Sequence, residues 1–102
     1  MSPSVVVGNH VVVPLDEEGW ADHVLILGGP FPLEESAQLF DRPVGLVYSR
    51  RRHDITDESD AAQAVLLGSW LASSGIQLAD WLIMTSRTVR SIPGDFGLPT
   101  RW

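Results

Sequence analysis

Two hydrophobic periods alternate along this chain, and together they set out a layered domain. Val5–Val7 and Val11–Leu15 are β-branched runs separated by Gly8-Asn9-His10, the pattern of a hairpin or of one long kinked strand. Pro14 suits the edge or the end of a strand, because proline cannot donate to a ladder. Asp16-Glu17-Glu18-Gly19 reads as a tight acidic turn. Ala21–Leu27 is the next expected strand. Its Val24, Leu25, Ile26 and Leu27 are consecutive apolar residues, as in a strand covered on both faces. Gly28-Gly29-Pro30 ends it. Leu33, Ala37 and Phe40 then recur at helical spacing, so Pro32–Phe40 is expected to be a short helix with Pro32 in its first turn.

The stretch from Val44 to Ile83 carries the strongest pattern. Val44–Tyr48 is a β-branched strand reached through that short helix, and a strand–helix–strand unit commonly makes parallel neighbours. Ser49–Thr56 is a charged loop. Thr56 or Asp57 is a good N-cap, and Asp57, Glu58 and Asp60 place negative charge in a first helical turn, where the helix dipole favours it. Ala61, Ala64, Val65, Leu67, Gly68 and Leu71 line one broad apolar face of the helix, with Leu66 and Trp70 flanking it. Ser73-Ser74-Gly75 ends it. Ile76 and Leu78 re-enter the core, Trp81–Met84 is a buried strand, and Thr88–Ile92 pairs after a turn at Ser86-Arg87. Pro93–Trp102 is a tail rich in turn residues. This order gives a single α/β (α+β) domain over residues 1–102: a mixed β-sheet with two main helices packed on it. Neither an internal repeat nor a linker interrupts it.

Composition narrows the chemistry. A chain of 102 residues with 44% apolar content has the size and core of one domain. It has no cysteine, so disulfides, thiolate zinc sites and cysteine nucleophiles are excluded. The N-terminal MSPSVVVGNH lacks the basic and apolar segments of a signal peptide, and no apolar run has the length of a membrane span, so a soluble cytoplasmic protein is expected. The net charge of −6 disfavours general binding to nucleic acid or anionic membrane. All seven basic residues are arginine, so no lysine is there to act as a base or phosphate ligand. Gly28-Gly29 is too short for a dinucleotide or Walker loop, and no serine sits in a G-x-S-x-G elbow.

Several local phrases resemble the RadC-like branch of the JAB/MPN domains. Leu15-Asp16 matches the leucine-aspartate that ends the family's first core strand. Ala21-Asp22-His23-Val24-Leu25 followed by Gly28 is similar to its second strand and glycine turn, and Pro32–Phe40 takes the place of its first helix. Gly75-Ile76-Gln77-Leu78-Ala79-Asp80-Trp81-Leu82-Ile83 resembles its glycine-isoleucine, leucine, aspartate-histidine, leucine-isoleucine phrase. Ser91 to Leu98 is similar to its closing strand. The likeness covers roughly residues 11–98. It implies a layered architecture like that of cytidine deaminases. It also implies a zinc site of two histidines, a serine and an aspartate, with an upstream glutamate as base. Here the histidine positions fall within Tyr48–Arg51 and hold none, the serine position falls on Asp57 or Thr56, and the glutamate position falls on His23. Asp60 alone is kept. Arginines also put positive charge where a dication would sit. The resemblance therefore implies the fold and argues against the hydrolase activity.

The leading expectation is a catalytically inactive domain that binds a protein partner, as a homodimer or in a larger complex, without a cofactor. Tyr48, Arg50, Arg51, Arg52, Trp20 and Trp102 are the candidate binding residues. Arginine forks grip carboxylates and phosphates, and tryptophan is enriched at binding hot spots. One alternative is a divergent zinc- or metal-dependent hydrolase using His23, His53, Asp57 and Asp60. Another is contact with phosphate or nucleic acid through Arg50–Arg52. Against these stand plainer roles: Asp57, Glu58 and Asp60 as capping acids, the arginines paired with Asp54, Asp57 and Glu58, His10 and His23 as surface or packing residues, and Trp70 and Trp81 in the core.

Overall fold

The computed structural model describes residues 7–98. Among these residues five strands form one sheet in the order β2-β1-β3-β4-β5: β1 is His10–Leu15, β2 Leu25–Leu27, β3 Val44–Arg50, β4 Gln77–Met84 and β5 Val89–Ser91. Only β3 and β4 run parallel; the other three pairs are antiparallel. The sheet is mixed, as the pattern of strands and helices indicated. The long helix α1, Glu58–Ala72, makes the crossover between the parallel strands. A short helix α2, Ile92–Phe96, follows β5 directly.

The parallel pair is thus not the one expected from the first strand–helix–strand unit. β2 and β3 point the same way, but β1 lies between them. Val11–Leu15 pairs along its length with Tyr48–Val44, and only His10–Val12 also pairs with β2. This explains Pro14 inside a strand that is not at the edge. β2 stops opposite Val12, so Pro14 has no β2 residue to donate to. It also corrects the reading of Ala21–Leu27. Only its last three residues form a strand, and that strand is an exposed edge rather than one covered on both faces.

The three helical segments pack on one face of the sheet. Val12, Val47, Trp81 and Ile83 meet Ala64, Leu67 and Leu71 of α1, Phe40, and Ile92 of α2 in the larger core cluster. An extra residue in β4 makes this possible. Gly45 pairs with Leu78, but Leu46 already pairs with Asp80. This bulge brings Leu78 and Trp81, three residues apart, onto the same side, which strict alternation forbids. Val11, Val13, Leu15, Val44 and Ala79 form a second cluster, with Leu46 and Tyr48 packed against it. Every one of these residues belongs to a strand.

Residues 32–40 end differently from expectation. Leu33–Leu39 is a 3-10 helix rather than an α-helix, with Ser36 donating to the Leu33 carbonyl at 2.7 Å. Phe40 leaves it in an extended conformation and lays its ring on Gly45 of β3. A Cβ at Gly45 would stand 2.6 Å from that ring. Because Phe40 is buried and cannot swing away, we expect Gly45→Ala to cost about 1–3 kcal/mol, the range for overpacking a filled core. A urea titration reads it as a lower midpoint at unchanged slope.

Helix α1 begins as its sequence dictates. Asp57 accepts from the Asp60 backbone N–H and Asp60 accepts from the Asp57 backbone N–H, a capping box built from two aspartates. Its buried face is narrower than expected. Ala64, Leu67 and Leu71 are buried, whereas Val65 and Leu66 are exposed. Trp70, expected in the core, is 43% exposed. Trp81 is fully buried, as expected. Val89–Ser91 pairs with β4 after the Ser86-Arg87 turn, and Ile92 opens α2 instead of extending the strand.

Candidate functional site

The parallel pair determines where a site can form. The ends of β3 and β4, the start of β1 and the first turn of α1 converge on one edge of the sheet, because α1 must return across the sheet between two parallel strands. Two polar groupings sit there.

The first is an ion pair. Arg51, just past β3, holds Asp60 with both guanidinium nitrogens: Nη2 donates to Oδ1 at 2.6 Å and Nη1 to Oδ2 at 3.0 Å. Oδ2 also accepts the Asp57 backbone N–H at 3.1 Å. Asp60 is only 8% exposed, so this pairing is what lets a carboxylate stay charged there. The hydrogen bonds from Arg51 hold its pKa below the ordinary carboxylate value, against the opposing effect of burial. The sequence reading paired the arginine cluster with Asp54, Asp57 and Glu58. In the structure Arg51 takes Asp60, Asp54 faces Arg90 at 3.8 Å, and Arg50 donates to the Thr85 carbonyl at 2.8 Å.

The second is a chain of hydrogen bonds, buried at Ser49 and Trp81 and half-buried at His10, that sequence reasoning missed. His10 Nε2 lies 3.0 Å from the Gly29 carbonyl, and its Nδ1 lies 2.6 Å from Ser49 Oγ. Trp81 Nε1–H donates to the same Oγ at 2.9 Å. A carbonyl can only accept, so the imidazole proton is on Nε2. Nδ1 is then the acceptor of the Ser49 hydroxyl, and that hydroxyl accepts from Trp81. Every group is satisfied with His10 neutral. Phe31 closes the cluster, its ring edge-on to His10 at 5.5 Å and tilted on Trp81 at 5.2 Å. Burial lowers the His10 pKa most. The Gly29 carbonyl works in the opposite direction, and the Arg51 charge lowers it further. The one local signal was alternation, which puts His10 on the same side of β1 as the core residue Val12. Ser49 and Trp81 lie too far along the chain to be read as its partners.

The remaining candidates are dispersed. Tyr48 packs, half-buried, on the strand-only cluster of the other sheet face. Arg52 and His53 are exposed in the loop. Trp20 is 73% exposed in the turn that Asp16 organises by accepting the Glu18 and Trp20 backbone N–H groups. Trp102 lies outside the described residues. His23 pairs with Asp22 at 2.7 Å and Asp41 at 3.4 Å, near the start of β3. Asp60 is beyond its other end, and a strand of that length spans roughly 20 Å. The capping box brings Asp57 and Asp60 together, but His23 does not join them. Among the described residues no three histidine, aspartate or glutamate side chains converge as a ligand set.

Loop 51–57 is also pinned from outside. Thr56 Oγ1 donates to Asp95 at 2.7 Å, and Arg90 Nε donates to the same carboxylate oxygen at 2.7 Å. Ile55, between these anchors, is 74% exposed. Elsewhere an apolar groove of about 390 Å³ runs between α1 and Leu98, lined by Ala64, Gly68 and Leu78 among others. No described helix is long and apolar enough to cross a membrane. No protein-family model, curated protein or solved structure matches the chain.

Proposed function

We propose that this domain is a catalytically inactive relative of the RadC-like JAB/MPN hydrolases and works by binding protein, with a second copy of itself as its first partner. The observation that carries the reading is the Arg51–Asp60 pair. Asp60 is the zinc-ligand position that the resemblance leaves intact, and both of its oxygens are engaged by a fixed internal cation. The residues present do not fit a zinc ion. At 4 Å from Arg51 a dication would meet a repulsion of roughly 8 kcal/mol at an effective dielectric of 20. Among the described residues no set of three histidine, aspartate or glutamate side chains gathers there to offset it. What remains useful is surface. Trp20 in its turn, Ile55 in the loop after β3, and Val65, Leu66 and Trp70 on α1 are large exposed apolar side chains, the kind of residue that anchors interfaces.

The test is a pair of measurements on protein purified without chelator. Elemental analysis is expected to find no stoichiometric zinc. Zinc at one equivalent that disappears in Asp60→Ala would overturn the inactive reading. Light scattering over a wide concentration range is expected to show reversible dimer formation, weakened in Trp70→Ser or Trp20→Ser. A monomer throughout the range would reject self-association.

A further inference from the structure

We propose that His10, Ser49 and Trp81 form a proton-operated latch that holds the Gly28–Pro32 segment onto the sheet and releases it when His10 is protonated. The geometry commits the latch to one protonation state. Ser49 Oγ is 1% exposed and already accepts from Trp81. A second proton on His10 would sit on Nδ1 and point at the same oxygen. The hydroxyl can accept both, but its own hydrogen then loses His10 Nδ1 as its acceptor at that buried site. The cation would also be repelled by the charge of Arg51, whose fork is held by Asp60 of α1. Among the described residues Arg51 is the charged group that acts on the ring. The segments supplying Leu27, Gly29 and Phe31 set no carboxylate against it.

The ring cannot leave alone. His10 Nε2 carries the bond to the Gly29 carbonyl, and Phe31 rests on both His10 and Trp81. When the ring turns out, the segment between β2 and the 3-10 helix loses the hydrogen bond to His10 and one side of its aromatic seat, keeping Trp81 alone. Release would free the segment from His10 and loosen the covering of Trp81 by Phe31. A neutral His10 keeps the segment seated.

The latch is tested by hydrogen exchange at the amide of Leu33, which donates to the Phe31 carbonyl within the segment, from pH 8 to pH 5, corrected for the intrinsic rate. One-proton linkage makes the opening constant climb as pH falls below about 6.5, with a limiting slope of tenfold per pH unit. Trp81 emission should shift to the red over the same range. His10→Phe keeps a ring on Phe31 but cannot titrate, and its profile is expected to be flat; His10→Gln provides a second non-titrating variant if the first is misfolded. His23→Asn and His53→Asn should leave the wild-type slope unchanged. A flat wild-type profile, or a slope that survives in both His10 variants, would overturn the proposal.

Discussion

Replacing Trp81 with alanine is expected to bring the domain close to unfolding. The side chain is fully buried at the centre of the helix-side core and touches both layers. Truncating a buried tryptophan costs about 3–5 kcal/mol through lost burial and the cavity left behind. A domain of this size has a total stability of about 5–15 kcal/mol, so one substitution removes a large share of it. A second loss adds to the first, because Ser49 Oγ gives up the Nε1–H donor that orients it toward His10. Trp81→Phe separates the two terms: it keeps most of the burial and removes the N–H. Thermal unfolding should rank wild type above Trp81→Phe and Trp81→Phe well above Trp81→Ala. Equal melting temperatures for the two variants would mean that the indole volume contributes little.

The second large effect is expected at Arg51. Arg51→Met keeps an apolar stem of similar length and removes the guanidinium, leaving Asp60 without its fork. Breaking a fully buried pair costs about 3–5 kcal/mol. Arg51 is about a third exposed, so water screens part of the interaction, and about 2 kcal/mol is the expected loss. The pH dependence identifies the cause. Asp60 has a pKa below its unfolded value, so its contribution is complete above about pH 4, the unfolded aspartate value, and is lost as pH falls through the lowered folded pKa. Arg51→Met should therefore differ from wild type at pH 7 and converge on it at low pH, measured as urea midpoints along a pH series. Asp60→Asn keeps the cap and removes the charge. If combining it with Arg51→Met gives strict additivity, the two residues are not coupled.

Much of this structure is visible in the chain because its signals are local. The β-branched run at Val44, the acids at Asp57 and Asp60, and the glycine at Gly75 each act within a few residues. β3, α1 and their boundaries follow from them. Gly75 has a φ of 75°, a conformation that favours glycine, and it sits just where the helical pattern stops. What the pattern could not show depends on strand order. Apolar residues 24–27 look doubly covered until β1 takes the interior place and leaves β2 at the edge. Trp70 looks like a core residue until α2 and the 3-10 helix fix which side of α1 is inside. The site was legible in part. The charged loop after β3 and the acids that open α1 follow from local signals. The partner of Arg51 does not, because three nearer acids are equally plausible by sequence. The His10–Ser49–Trp81 chain was invisible, since its three members come from three strands and meet only after β1 slots between β2 and β3.

That insertion also sets an order of events in synthesis. β1 is made before the other described strands, yet it occupies the second position in the sheet. Its hairpin with β2 can form early, but that hairpin covers only half of β1 and leaves Val13–Leu15 unpaired. Those residues wait for β3, about thirty residues later, and β3 in turn waits for α1 to bring β4 alongside. The nascent chain therefore carries an exposed apolar strand edge until most of the domain has been made, the interval in which strand edges recruit neighbouring chains. Folding is tied to the late arrival of β4, and the helix start fixed by Asp57 and Asp60 becomes a timing element, because α1 must form before the parallel pair can close.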